Sequence, residues 1–432
     1  MKTTLANGLR IVTNTMPHTR SVTVGAYVGV GSRYEPDEQA GLSHFIEHLA
    51  FKGTERRPTP GEISGQVEGV GGVMNAGTEQ ELTVYWCKVA RLHLTETVDL
   101  LIDMLRNSLY TSEDLEKERL VLLEELAMAN DHPGSRADVI IDEMLWPDHP
   151  LGREVGGTEQ SVVGITRDMV VDHVSQFYTP NSIVISVAGN VEHDELVDLI
   201  DDLTDGWSSG APSAWDPYTD SHNAPELRVE YRKTEQAHLS IGLPGLSLTH
   251  PDIYALDLLS VALGEGMSSR LFLEVRERLG LAYDVGSSVA HFQDCGAVVI
   301  TAGVDPKRTY EAAATILGEL SRIRDGVPEE ELEKAKRMSI GRLFLGMEDT
   351  RSVSGWMGSQ ESLLGTVLDV DDVVSHVERV TPADVQRVAD ELIAGEKLNM
   401  AVVGPNRGGS RLRGLLERSV RRSAPIVAAG TG

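Results

Sequence analysis

Cysteine is nearly absent: Cys87 and Cys295 are the two in 432 residues, too few for a disulfide framework or a thiolate metal cluster. A reducing compartment is the simplest setting. Basic residues are outnumbered by acidic ones, 39 against 66, for a net charge of −27, which argues against nucleic acid as a general partner. No apolar run approaches the roughly 18 residues of a membrane span. The N-terminus, MKTTLANGLRIV, enters a strand pattern at once, with neither an apolar stretch leading to a small-residue cleavage site nor an Arg-rich amphipathic presequence, so the expected location is cytoplasmic. A mean hydropathy of −0.16 with 24 % charged residues describes an ordinary folded soluble chain, and its length calls for two or more domains.

Against that plain background one stretch concentrates chemistry, GLSHFIEHLAFKG from Gly41 to Gly53. His44, Glu47 and His48 fall at i, i+3 and i+4, so a helix projects all three from one face. Two imidazoles one turn apart can grip a single Zn²⁺, and the carboxylate between them can hold and deprotonate a water on the metal. The order His-x-x-Glu-His inverts the common zinc-peptidase motif. Phe45, Ile46, Leu49 and Ala50 make the remaining faces apolar, which predicts a largely buried helix. The motif should arise by accident in roughly 2 to 4 % of chains of this size and composition. A third ligand is therefore what decides.

TSEDLEKERLVLLEELAM, Thr111 to Met128, is where that ligand is sought. Ser112 reads as the cap of a helix with Glu113 and Asp114 in its first turn. Glu118 and Glu125 lie two turns apart on one face with Leu122 between them, and Glu124 points about 100° away from Glu125. Periodicity does not choose between Glu124 and Glu125. His132, His149 and His173 have no second ligand type at turn spacing and read as solvated or structural.

These residues resemble the insulinase/pitrilysin superfamily, peptidase family M16, in its short form, similar to bacterial processing peptidases and the mitochondrial processing peptidase. The resemblance runs from TLANGLRIVT to LNMAVVGP. The spacing of His48 to Glu125, with Glu118 seven residues ahead, matches that family's glutamate ligand and the acid preceding it. What it implies is a Zn²⁺ held by His44, His48 and Glu125, Glu47 as general base, and Glu118 as a carboxylate orienting a ligand histidine. It further implies that Asn75, Ala76, Gly77 and Thr78 lie on an edge strand beside the zinc, where an extended substrate adds as another strand. On turn propensity alone Asn75 would be a turn residue. Arg276 and Tyr283 match the family's oxyanion-stabilising pair from the metal-free half. The short forms pair two chains around a chamber, so a homodimer is expected.

The rest of the chain supplies the frame. Leu9–Thr13 and Ser21–Val30 alternate with period 2 and read as strands, as does GGVMNAGTEQELTVYWCKV. GWSSGAPSAWDPYTDSHNAPE, 206–226, is the best linker. Beyond it the order repeats: HLSIGLPG matches the strand VTVGAYVGVG, and DIYALDLLSVALG matches the motif helix with Ala255, Leu258 and Leu259 where the first half has His44, Glu47 and His48. The predicted class is α+β: two related domains, each a mostly antiparallel sheet packed on helices, with 1–205 carrying the zinc and 227–405 metal-free. The basic tail, 406–432, reads either as folded back on the acidic body or as a disordered end.

The expected function is that of a zinc-dependent endopeptidase cleaving unfolded peptides or short protein segments. A non-catalytic partner subunit is the alternative, opposed by the presence of His44, Glu47, His48 and Glu125 together. A zinc hydrolase of a non-peptide amide fits the metal residues equally well; the edge strand and the repeated domain speak for peptide.

Overall fold

The period-2 stretches become strands. In a computed structural model that describes residues 1–211 and 214–423, the first sheet contains β1 (Lys2–Thr4), β2 (Arg10–Thr15), β3 (Ser21–Val28), β4 (Val73–Thr78), β5 (Thr83–Ala90) and β6 (Ile183–Gly189). Their spatial order is β1-β2-β6-β3-β5-β4. Neighbours are antiparallel except β2 and β6, which run parallel. The run IVISVAG of β6 is apolar without alternation and buried throughout, because helices cover both faces of this sheet.

On one face, Val22, Val24, Ala26 and Val28 share a cluster with Phe45, Ile46 and Leu49 of the motif helix and with Val98, Leu101 and Leu105 of the helix Leu94–Asn107. On the other, Val12, Tyr27, Val184 and Ala188 meet Val353 and Met357 of the helix Thr350–Leu364. A Cβ at Gly358 would lie 2.1 Å from the Tyr27 ring. Glycine is what lets that helix approach the sheet.

The second sheet, β7 (Glu226–Tyr231), β8 (Ala237–Pro244), β9 (Ala282–His291), β10 (Gly296–Val304) and β11 (Asn399–Gly404), has the order β7-β11-β8-β10-β9. It repeats β2-β6-β3-β5-β4 strand for strand, including one parallel pair, β7 with β11. The helix Ile253–Gly264 follows β8 as the motif helix follows β3, and its Ala255, Leu258 and Leu259 are buried core. Ile141 and Leu145 of the helix Pro133–Leu145 pack over Gly242 of β8, and its Ala137 joins Ala401 and Val403 of β11 in one cluster.

The compact units interleave in sequence. One comprises Met1–Met128, Arg153–Asp216 and Arg342–Asp369; the other comprises Ala129–Gly152, Pro217–Gly341 and the chain from Val370. The passage between them at Asp216 and Pro217 falls in the Gly/Ser/Pro-rich stretch, but neither unit is an uninterrupted half such as 1–205 or 227–405. Each sheet takes a covering helix from the other half of the sequence. The stretch itself is pinned: Trp215 lies 3.9 Å below the buried Arg33 guanidinium, which also donates to Asp216 O at 3.0 Å.

One local expectation changes and one open alternative is decided. The cap of Ser112–Asp131 is Thr111 rather than Ser112, since the Thr111 hydroxyl accepts from the Asp114 N–H at 3.1 Å. In the basic tail, Ser410–Ser423 is a helix with Leu412 and Leu416 buried; Arg411 lies over the Tyr310 ring at 4.5 Å, and Arg418 donates to its hydroxyl at 3.0 Å. Residues 424–432 lie outside the described residues.

Candidate active site

The motif helix is Leu42–Leu49, shorter at each end than the sequence pattern suggests. Its N-terminal neighbour Gly41 sits at φ 92° and contributes no side-chain cap. Its missing partners come from Glu35, whose carboxylate accepts from the Gly41 N–H at 2.8 Å and the Ser43 N–H at 2.6 Å. Phe45, Ile46 and Leu49 anchor the opposite faces in the core. His44, Glu47 and His48 are left at the less buried side.

Glu125 comes to this side from the helix Ser112–Asp131. Its Oε2 lies 3.7 Å from His44 Nε2 and 3.6 Å from His48 Nε2, and the three ligand atoms all lie within 4.8 Å of one another. These separations exceed an N–H···O hydrogen bond. They approach the edge, about 3.4 Å, of a tetrahedron with ligand bonds of about 2.1 Å. Burial, helped by His48, pushes the His44 imidazole down to about 4, so at neutral pH it is an uncharged donor. Two nitrogens and one carboxylate oxygen with a fourth corner left over are the donor set of a catalytic zinc. The residues fit the ion.

Behind the ligands, Glu118 Oε2 lies 3.2 Å from His48 Nδ1 and its Oε1 lies 2.6 Å from Lys52 Nζ. An acceptor on Nδ1 keeps the proton there and leaves the Nε2 lone pair free to ligate. Glu47 accepts a 2.7 Å hydrogen bond from the Thr78 hydroxyl. Burial raises its carboxyl above the usual range, with Thr78 and His48 opposing that shift. Thr78 closes β4, which pairs with β5 alone and forms the edge of its sheet. Every second residue of β4, Asn75 and Gly77 included, is exposed.

The sequence-predicted residues distribute plainly. His44, His48 and Glu125 converge; Glu118 touches His48; Glu124 is exposed. Asn75 is a strand residue despite its turn propensity, because the hairpin partner β5 dictates its backbone. Arg276 lies in a π-helical turn, Phe272–Arg278, with its guanidinium 4.7 Å from the Phe272 ring and 4.8 Å from the Tyr283 ring. Tyr283, on β9, is 77 % exposed. His132 and His149 accept backbone N–H bonds from Ser135 and Leu151, and burial holds His173 down at about 4. Three features had no sequence reading: Glu35 under the helix, Lys52 on Glu118, and the Thr78 hydroxyl on Glu47. A helix start without Ser, Thr, Asp or Asn is the one signal that could have pointed to the first.

Comparison with known proteins agrees with this geometry. Residues 10–159 match the model described as insulinase (peptidase family M16), and residues 164–339 match that of the peptidase M16 inactive domain. The chain belongs to peptidase family M16, and its site is that of a zinc-dependent endopeptidase in the first of two M16-type domains. It is 38 % identical over 420 residues to an uncharacterized zinc protease of Streptomyces coelicolor, covering 95 % of this chain and 91 % of that one. With an uncharacterized zinc protease, YmxG, of Bacillus subtilis it is 34 % identical, over 93 % of this chain and 98 % of the other. Its fold is similar to that of a protease from Helicobacter pylori, with a TM-score of 0.89, 23 % identity, and coverage of 94 % and 99 %. No helix among the described residues is long and apolar enough to cross a membrane.

Proposed function

We propose that this chain is a processing-type peptidase that cuts extended or unfolded peptides, works as a homodimer in the cytoplasm, and does not engage nucleic acid. The observation that carries the chemistry is the convergence of His44, His48 and Glu125 around one point, with Glu47 on the same helix face. Bound there, zinc supplies Lewis acidity and lowers the pKa of a water it holds. Glu47 is the base that takes the proton, its orientation set by Thr78 and its basicity raised by burial. The open edge of β4, residues Asn75, Ala76, Gly77 and Thr78, suits main-chain pairing with an extended peptide, a mode that binds sequence-tolerantly. Tyr283 and Arg276 are assigned to the oxyanion; their mutual stacking supports a shared role. The scarcity of cysteine supports a reducing compartment such as the cytoplasm, and the strongly negative charge speaks against nucleic acid.

The test is Glu47→Gln. An amide keeps the shape and can still accept from Thr78, but cannot take a proton, so zinc content should stay near one per chain while hydrolysis of unfolded peptides falls at least about 100-fold. Wild-type hydrolysis in that variant would remove Glu47 from the role of base.

A further inference from the structure

Glu35 is a buried acid that the chemistry above does not use. It is 2 % exposed, and both carboxylate oxygens are spent on the first turn of the motif helix, Oε2 on Gly41 N–H and Oε1 on Ser43 N–H. Helix-start N–H groups have no partner inside the helix, and Gly41 offers none. A carboxylate at that end also meets the positive pole of the helix dipole, through charge-assisted bonds. His44 projects from this same turn.

The arrangement is expensive for the fold. Burial drives the Glu35 carboxyl up to about 7, against the opposing pull of the Ser43 and Gly41 bonds and of Arg153. For an acid whose folded value exceeds its unfolded one, folding disfavours the charged form: stability falls as pH rises from about 4.5 to about 7, and the full cost is present above that. The charged groups around the turn are Asp37 and Glu38 beside it, Arg153, which is paired with Asp37 at 2.6 Å, Glu154 beyond, Glu159 on the helix Glu159–Gly164, the Arg33–Glu81 pair, and His173 on Arg167–Phe177, which burial keeps neutral. A charge buried at a cost to stability, on the turn that carries a metal ligand, points to a task other than holding the fold together.

We propose that Glu35 is a positioning residue for the metal: its carboxylate, clamped on the N–H groups of Gly41 and Ser43, fixes the turn from which His44 projects and thereby sets metal affinity. The inference rests on the metal site described above. Glu35→Gln leaves one acceptor and turns an NH₂ against the other N–H. Full-length wild type and variant are titrated with Co²⁺, whose visible ligand-field bands report coordination geometry, and the metal-free proteins are unfolded in urea.

Near pH 8 the variant should bind Co²⁺ about 10-fold or more weakly, with altered bands, while its metal-free unfolding midpoint is unchanged or higher. Near pH 6, where the wild-type carboxyl is protonated, the ratio of the two affinities should shrink; histidine protonation is common to both and cancels. Glu35→Asp, too short to span both N–H groups, should fall between them and keep the pH-dependent ratio if the glutamine variant does not fold. Equal affinities and spectra near pH 8 would overturn the proposal. So would a weaker affinity with a lower midpoint and a ratio indifferent to pH, since that is what a purely structural carboxylate gives. A wild type that binds no Co²⁺ would instead refute the metal site itself.

Discussion

Thr78→Val separates two jobs that one residue could hold. Thr78 ends the edge strand, and its hydroxyl donates to Glu47 Oε2 at 2.7 Å. Valine has the same shape and a strand propensity at least as high, so pairing of β4 with β5 should survive. What disappears is one hydrogen bond to a charged acceptor, worth about 1.5–3 kcal/mol. If all of it serves to aim the base in the transition state, the loss is about 10- to 150-fold in rate. Thr78 is half-buried, so water can partly replace the hydroxyl, which favours the lower part, about 10- to 30-fold. Steady-state kinetics on an unfolded peptide, with bound zinc measured in parallel, should show kcat reduced by that amount, KM within about 2-fold, and unchanged metal. Unaltered kcat would refute the reasoning, and a raised KM with full kcat would move Thr78 from aiming the base to holding the peptide.

The choice between neighbouring acids is direct: Glu125→Ala should lose zinc and Glu124→Ala should keep it, read by metal content after dialysis, and the opposite pattern would overturn the ligand assignment. Tyr283→Phe should cost about 100-fold in kcat with KM and zinc content little changed, as expected for a donor needed mainly in the transition state, and full activity would exclude the hydroxyl. His291 places Nε2 3.0 Å from Asp257 Oδ1 and Nδ1 2.7 Å from Leu246 O; both partners accept, so both ring nitrogens must donate. Burial opposes the charge, but Asp257 and Leu246 prevail and raise the imidazole above 6.5. Its contribution is therefore fully present below about pH 6.5 and lost as pH rises through the folded value. Urea unfolding should show that decline in wild type and not in Asp257→Asn; parallel pH profiles would count against it.

How much could be read beforehand depended on how local the cause was. His44, Glu47 and His48 are fixed by helix spacing alone, and strands such as SVTVGAYV by their period. The third ligand was ambiguous because Glu124 and Glu125 are chemically identical and sit in a helix rich in acids; the seating of Leu115, Glu118 and Leu122 inward turns Glu125 to the histidines and leaves Glu124 exposed. Thr111 and Ser112 pose the same problem, two adjacent hydroxyls of which backbone geometry selects one. Glu35 carries no sequence signal of its own because nothing in a periodicity refers an acid to a helix start six positions on. The π-helical turn holding Arg276 has ordinary helical composition. SVSGWMGSQESLL forms most of the helix Thr350–Leu364, but no local pattern names the sheet it covers.

That last point bears on the order in which the protein can be made. The ribosome finishes β6 while the helix Thr350–Leu364 is still unsynthesised, and Pro217–Gly341 must be translated in between. At roughly 5–20 residues per second, those 125 residues take about 6 to 25 s. Throughout that interval Val12, Tyr27, Val184 and Ala188 present an apolar sheet face with its cover missing. A nascent chain in this state is a natural client for chaperones, and the unit that carries the zinc ligands is completed only after Pro217–Gly341 of the other unit has been translated.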